Sequence, residues 1–112
     1  MDPITIMALV FGARLLAKWV DSSDGQQAIA TVAAIATLAW QTINSWLNGN
    51  KVSVGDCGTL IKESLASGNY RVVCGVFNSS GSQRQQTVWE CSDMDSELKQ
   101  RLANRNKITI NL

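Results

Sequence analysis

The chain has no histidine, one proline and three cysteines, and only 17 % of its residues are charged. Without histidine, the commonest general base and the commonest metal ligand are missing. Ser-His and Cys-His nucleophile pairs are therefore excluded. Three scattered cysteines, Cys57, Cys74 and Cys91, fall short of the four ligands of a structural zinc site. No glycine-rich loop ends in Lys-Ser or Lys-Thr, and Gly55-Asp56-Cys57-Gly58 is too short to cradle a phosphate. The sequence thus calls for no cofactor and no metal, and no catalytic residue stands out. Aromatic residues make up 6 % and no basic run accompanies them, so the footprint of a nucleic-acid binder is missing. The start of the chain lacks the plan of a secretory signal: Asp2 and Pro3 precede its apolar run, and Arg14 and Lys18 close it. The expected compartment is the cytoplasm, and an odd cysteine count agrees with a chain that is not a disulfide scaffold.

What the sequence has is apolar length. At 46 % hydrophobic residues it lies outside the disordered class. From Gly25 to Asn50, 26 residues pass without a charge, after another mostly apolar stretch over residues 4–20. Charge is split to match. Residues 1–50 carry five charged side chains and residues 51–112 carry fourteen, eight basic and six acidic.

Asp2-Pro3 suits a helix start, with Asp as cap and Pro at the first helical position. A helix over 4–20, a polar turn at 21–25 and a second helix over 26–47 follow. Asn48-Gly49-Asn50 stops the second helix. A five-residue connection makes the two helices antiparallel neighbours. Small residues, Ala8 and Gly12 on the first and Ala28, Ala36 and Ala39 on the second, would let them approach closely. The second is amphipathic at the helical period.

After residue 50 the pattern changes. Residues 51–54 read as a short strand, 57–67 as a helix, 70–77 and 86–91 as strands around a turn, 92–104 as a helix and 107–112 as a last strand. The class is α+β: a helical hairpin over 1–50 and a small unit over 51–112. The unit's order is β-α-β-β-α-β, that of a ferredoxin-like unit, or α-β-β-α-β without its weak first strand.

The hairpin is too apolar for a unit of about sixty residues to cover, so its outer surface is expected to meet other copies of the chain. The interface residues are Phe11, Leu15 and Trp19 on the first helix, and Ile29, Val32, Ile35, Trp40, Ile43 and Trp46 on the second. The expected function is a non-enzymatic self-assembling module with the C-terminal unit displayed on it. The alternative is a membrane-associated hairpin, in which the tryptophans anchor at the lipid interface. Against it, Arg14 and Lys18 break the first segment and Gln, Thr and Asn interrupt the second, so neither is a good span of about 20 apolar residues. A dedicated protein partner is the remaining choice.

Cys74 and Cys91 lie almost symmetrically about the Gly81-Ser82 turn. If the hairpin follows that centre they face each other, as a disulfide or, in a reducing compartment, as packed thiols. Cys57 follows Asp56 near an expected helix start, where the helix dipole favours thiolate and the Asp56 charge opposes it. Asp93, Asp95 and Glu97 after Ser92 read as the acidic first turn of a capped helix.

Overall fold

The computed structural model describes residues 16–52, 54–78, 83–103, 105 and 107–111. Residues 16–21 are helical (α1). The hydroxyl of Ser22 then serves two helices. It donates to the Trp19 carbonyl at 2.6 Å and accepts from the Gly25 N–H at 3.1 Å, capping α2 (Ser23–Thr31). The junction is tight. A Cβ added to Gly25 would lie 1.8 Å from the Trp19 carbonyl oxygen, so only glycine fits there.

α2 stops at Thr31, whose hydroxyl donates back to the carbonyls of Gln27 and Ala28 at 3.0 and 3.2 Å. Such back-bonding competes with continued helix. Residues 26–47 are therefore not the single helix expected. Val32 is extended, Ala34–Leu38 is a strand (β1), and α3 follows over Trp40–Asn50. Nothing local in Ala-Ile-Ala-Thr-Leu dictates a strand, since Ala and Leu favour helix. Parallel pairing of Ala34–Leu38 with a distant strand, and burial of Leu38, override that preference. The other helix of the expected hairpin, over 4–20, lies mostly outside the described residues.

The second half holds β2 (Cys57–Ser64), β3 (Tyr70–Phe77), β4 (Gln83–Met94), α4 (Ser96–Leu102) and β5 (Lys107–Asn111). The sequence places β3 and β5 correctly. It misses β2, read as a helix, and the strand expected at 51–54 is absent among the described residues, where Val54 lies in an exposed turn. The order after residue 50 is β-β-β-α-β, so neither expected order is found. β2 escaped recognition because it is buried on both faces from Cys57 to Ile61. An apolar run without alternation cannot be told from a buried helix by period.

The five strands form one sheet in the order β1-β4-β3-β2-β5. β1 is parallel to β4, and the other neighbours are antiparallel. Strands from both halves of the chain thus share one sheet. β3 shows why both faces are covered. Val72, Cys74 and Val76 point one way, into a core with Trp40, Ile43 and Leu47 of α3 and Leu98 and Leu102 of α4. Val73 and Phe77 point the other way, into a core with Leu16 and Val20 of α1, flanked by Ala28 and Ile29 of α2. Mixed α+β architecture is therefore present, as three layers.

Asp95 joins four elements. Its Oδ1 accepts from the Leu98 N–H at 2.8 Å, capping α4, and from the Trp40 N–H at 3.2 Å. The cap position of α3 is Ala39, which has no side chain able to do this. The Asp95 N–H in turn donates to the Leu38 carbonyl at 3.0 Å. The expected cap, Ser92, instead donates its hydroxyl to the Ala36 carbonyl of β1 at 2.9 Å. α4 ends on Ala103, held at φ 49° and ψ 47° with its N–H on the Lys99 carbonyl.

Replacing Asp95 with Ala removes the cap of two helices and should lower stability by about 2–3 kcal/mol in denaturant titration. A loss no larger than that of an ordinary surface substitution would refute the double role. Ala103→Gly should act oppositely. Relief of a left-handed alanine is expected to raise stability by about 1 kcal/mol, read as an upward shift of Tm.

Candidate functional site

The residues expected to form one association surface are not brought together. Phe11 and Leu15 lie outside the described residues. Trp19, Ile29 and Val32 pack against the core beneath α1 and α2. Trp40 and Ile43 are buried in the opposite core. Trp46, half-buried, meets Trp89 edge to face, with ring centroids 6.0 Å apart and planes at 85°. The Arg101 guanidinium covers the Trp40 ring at 4.2 Å. β1 is the physical reason for this scatter. By interrupting the helix it sends residues 29 and 32 to one face of the sheet and residues 40, 43 and 46 to the other. Among the described residues of the expected surface, only Ile35 faces outward as an exposed large side chain. Among the described residues no helix is long and apolar enough to cross a membrane.

The cysteines are likewise separated. Cys74 lies opposite Thr87, and Cys91 opposite Tyr70. Facing cysteines would centre the hairpin between Ser82 and Gln83; the observed register centres it two residues earlier and shifts between Val76 and Phe77. Four strand positions separate Cys74 from the level of Cys91, about 13 Å at the strand rise. A disulfide needs Cα atoms within about 7 Å. All three thiols are free and buried. Burial pushes the thiol of Cys74 up. Cys57 is raised by burial first and by the Asp56 charge second. Cys91 is raised mainly by burial, partly offset by a hydrogen bond with the Leu38 backbone. None of these settings favours a nucleophilic thiolate. Among the described residues no three His, Cys, Asp or Glu side chains gather as a metal site.

What stands out instead is the sheet margin at β1. Ala34, Ile35, Ala36 and Thr37 are exposed and only Leu38 is buried. One side of β1 pairs with Glu90–Met94 of β4, and among the described residues no strand pairs with its other side. Folded proteins usually guard such margins with charge, proline or a bulge. β1 has neither charge nor proline, whereas the opposite margin, β5, opens on Lys107. Because β1 covers only the end of β4, residues 83–89 on that side of β4 also lack a second strand among the described residues. The margin is therefore a step: a short strand projects beside an uncovered length of its neighbour.

The sequence held a faint sign of this margin. Ile35 and Thr37, both β-branched, alternate with alanines, a pattern masked by the stronger helical period around it. No protein-family model, curated protein or solved structure matches the chain.

The burial of the thiols has a direct consequence. In native buffer at pH 8, Cys57, Cys74 and Cys91 should react with a thiol reagent far more slowly than a free model thiol. All three should react at once in denaturant. Rapid labelling of Cys57 in the folded protein would reverse the assignment of that residue to the core.

Proposed function

We propose that the chain is a non-enzymatic interaction module that associates with copies of itself through the β1 margin. One observation carries this reading: an open strand whose first four residues are exposed and uncharged. Strand addition uses main-chain hydrogen bonds for affinity and alternate side chains for selectivity. β1 offers both at no cost in ion desolvation, which is steep for charged groups. Ala34, Ala36 and Thr37 are small, so an incoming strand meets little steric obstruction beyond Ile35. The absence of histidine and the raised thiols support a non-enzymatic role. We place the chain in the cytoplasm, where free thiols persist.

The energetics set a limit. A five-residue strand adds about four or five ladder bonds at a net ~1 kcal/mol each. Association costs about 4–15 kcal/mol in lost rigid-body freedom. One such margin alone therefore gives only a weak contact, and a stable assembly must use more surface than β1.

The test is particle mass in detergent-free buffer. The average mass should rise above the 12.2 kDa chain as concentration increases. Ile35→Lys places a charge on an exposed margin position, so it should cost little folding stability, under about 1 kcal/mol. It should hold the mass at that of one chain. A wild-type mass that stays at 12.2 kDa across the micromolar to millimolar range would end this reading.

A further inference from the structure

The step at the sheet margin is self-complementary. From this we propose that the assembling unit is a closed two-fold dimer in which each β1 slots between its own β4 and the uncovered length of the partner's β4. The inference rests on the self-association read above and goes on to fix its partner, symmetry and surface.

Length is the first argument. β1 has five residues, and it covers positions 90–94 of the twelve-residue β4. The uncovered stretch of β4, residues 83–89, has seven positions. It can hold one β1 and leave room for the chain to turn off at residue 33.

Direction is the second. β1 runs parallel to its own β4. A two-fold axis normal to the sheet reverses the partner's β4, so β1 would meet it antiparallel. That is the pairing used at every other contact in this sheet. The same axis returns the partner's β1 to the uncovered stretch of the first β4. The two β1 strands then share one line between two long β4 strands. Each β1 is paired on both sides, and each β4 is paired along nearly its whole length.

Charge is the third. Ala34–Leu38 contains no charged residue, and residues 83–87, which face it once the chain turns off at residue 33, contain one, Arg84. The two surfaces can therefore meet without setting like charges opposite one another. Gln85 is exposed, and Gln86 and Thr87 are half-buried, which suits a polar rim. A symmetric interlock also answers the energetic limit of a single margin, because each contact is made twice for one loss of rigid-body freedom.

The geometry sets this arrangement apart from back-to-back pairing of two β1 margins, which would leave residues 83–89 of β4 uncovered. Sedimentation equilibrium on the full chain separates the two. The wild type should settle at twice the 12.2 kDa chain mass and go no higher. Ile35→Lys and the double variant Gln85→Lys/Gln86→Lys, each checked for native circular dichroism, should both weaken the dimer at least tenfold. If only Ile35→Lys weakens it, the interlock is overturned while association through β1 stands. A mass that keeps growing past the dimer overturns the closed symmetry. A monomeric wild type overturns the self-association reading beneath it. A measurement without variants guards against misfolding: amide exchange at residues 83–89 should slow as protein concentration rises. Equal exchange at dilute and concentrated protein overturns the proposal, as does slowing only on addition of an unrelated extended peptide.

Discussion

Asp95 is the residue on which the arrangement of elements turns. A helix start leaves several N–H groups without partners, and each must be met by a side chain, water or another segment. In α4 the solution is local, since Asp95 caps its own helix. In α3 it is not, because Ala39 has nothing to offer. The same carboxylate oxygen therefore reaches across to the Trp40 N–H, 55 positions earlier in the chain, while the Asp95 N–H takes up the Leu38 carbonyl. The end of β1, the start of α3, the end of β4 and the start of α4 are fixed at one point. Parallel pairing of β1 with β4 and the turn into α3 follow from that junction.

Two leucines show how the helices then seat on the sheet. Leu47 of α3 lies over Gly58 of β2, where an added Cβ would come within 2.8 Å of its Cδ2. On the other face Leu16 of α1 lies over Gly75 of β3, where an added Cβ would come within 3.1 Å of its Cδ1. Each central strand gives up one side chain so that a helix can approach. This close fit lets the sheet be covered on both faces by helices that, among the described residues, span at most eleven residues.

Much of the second half was legible, and the failures have a common physical origin. β3 and β5 carry enough β-branched and apolar residues between turn signals to identify themselves. β2 does not, because strands covered on both sides lose the alternation that marks a strand with one wet face. Residues 26–47 misled for a related reason. Their apolar positions fit a helical period, and alanine favours helix, yet the ladder with β4 outweighs both. The association surface inherited that error. Residues that would line one face of a continuous helix are divided between two cores, while the small, exposed Ala34, Ala36 and Thr37 carried no hydrophobic signal. Of the acidic run read as the first turn of a helix capped by Ser92, only Glu97 lies in that turn, while Asp95 is itself the cap and Asp93 belongs to β4. The cap falls three residues later because β4 continues to Met94.

The junction of β1 with β4 also carries a kinetic cost. β2, β3 and β4 follow one another through short turns, whereas Ala34 and its partner Glu90 are separated by 56 positions. Closing a loop of that size costs about 2 kcal/mol more than closing a hairpin turn. The antiparallel strands are the cheaper part to form, and β1 arrives against a surface already built. Until it does, β4 presents an open margin along its full twelve residues. In that order of assembly the open margin would be longer before β1 docks than in the finished fold. If β1 docks last, yield on refolding would be set by the race between its arrival and capture of that margin by a neighbouring chain.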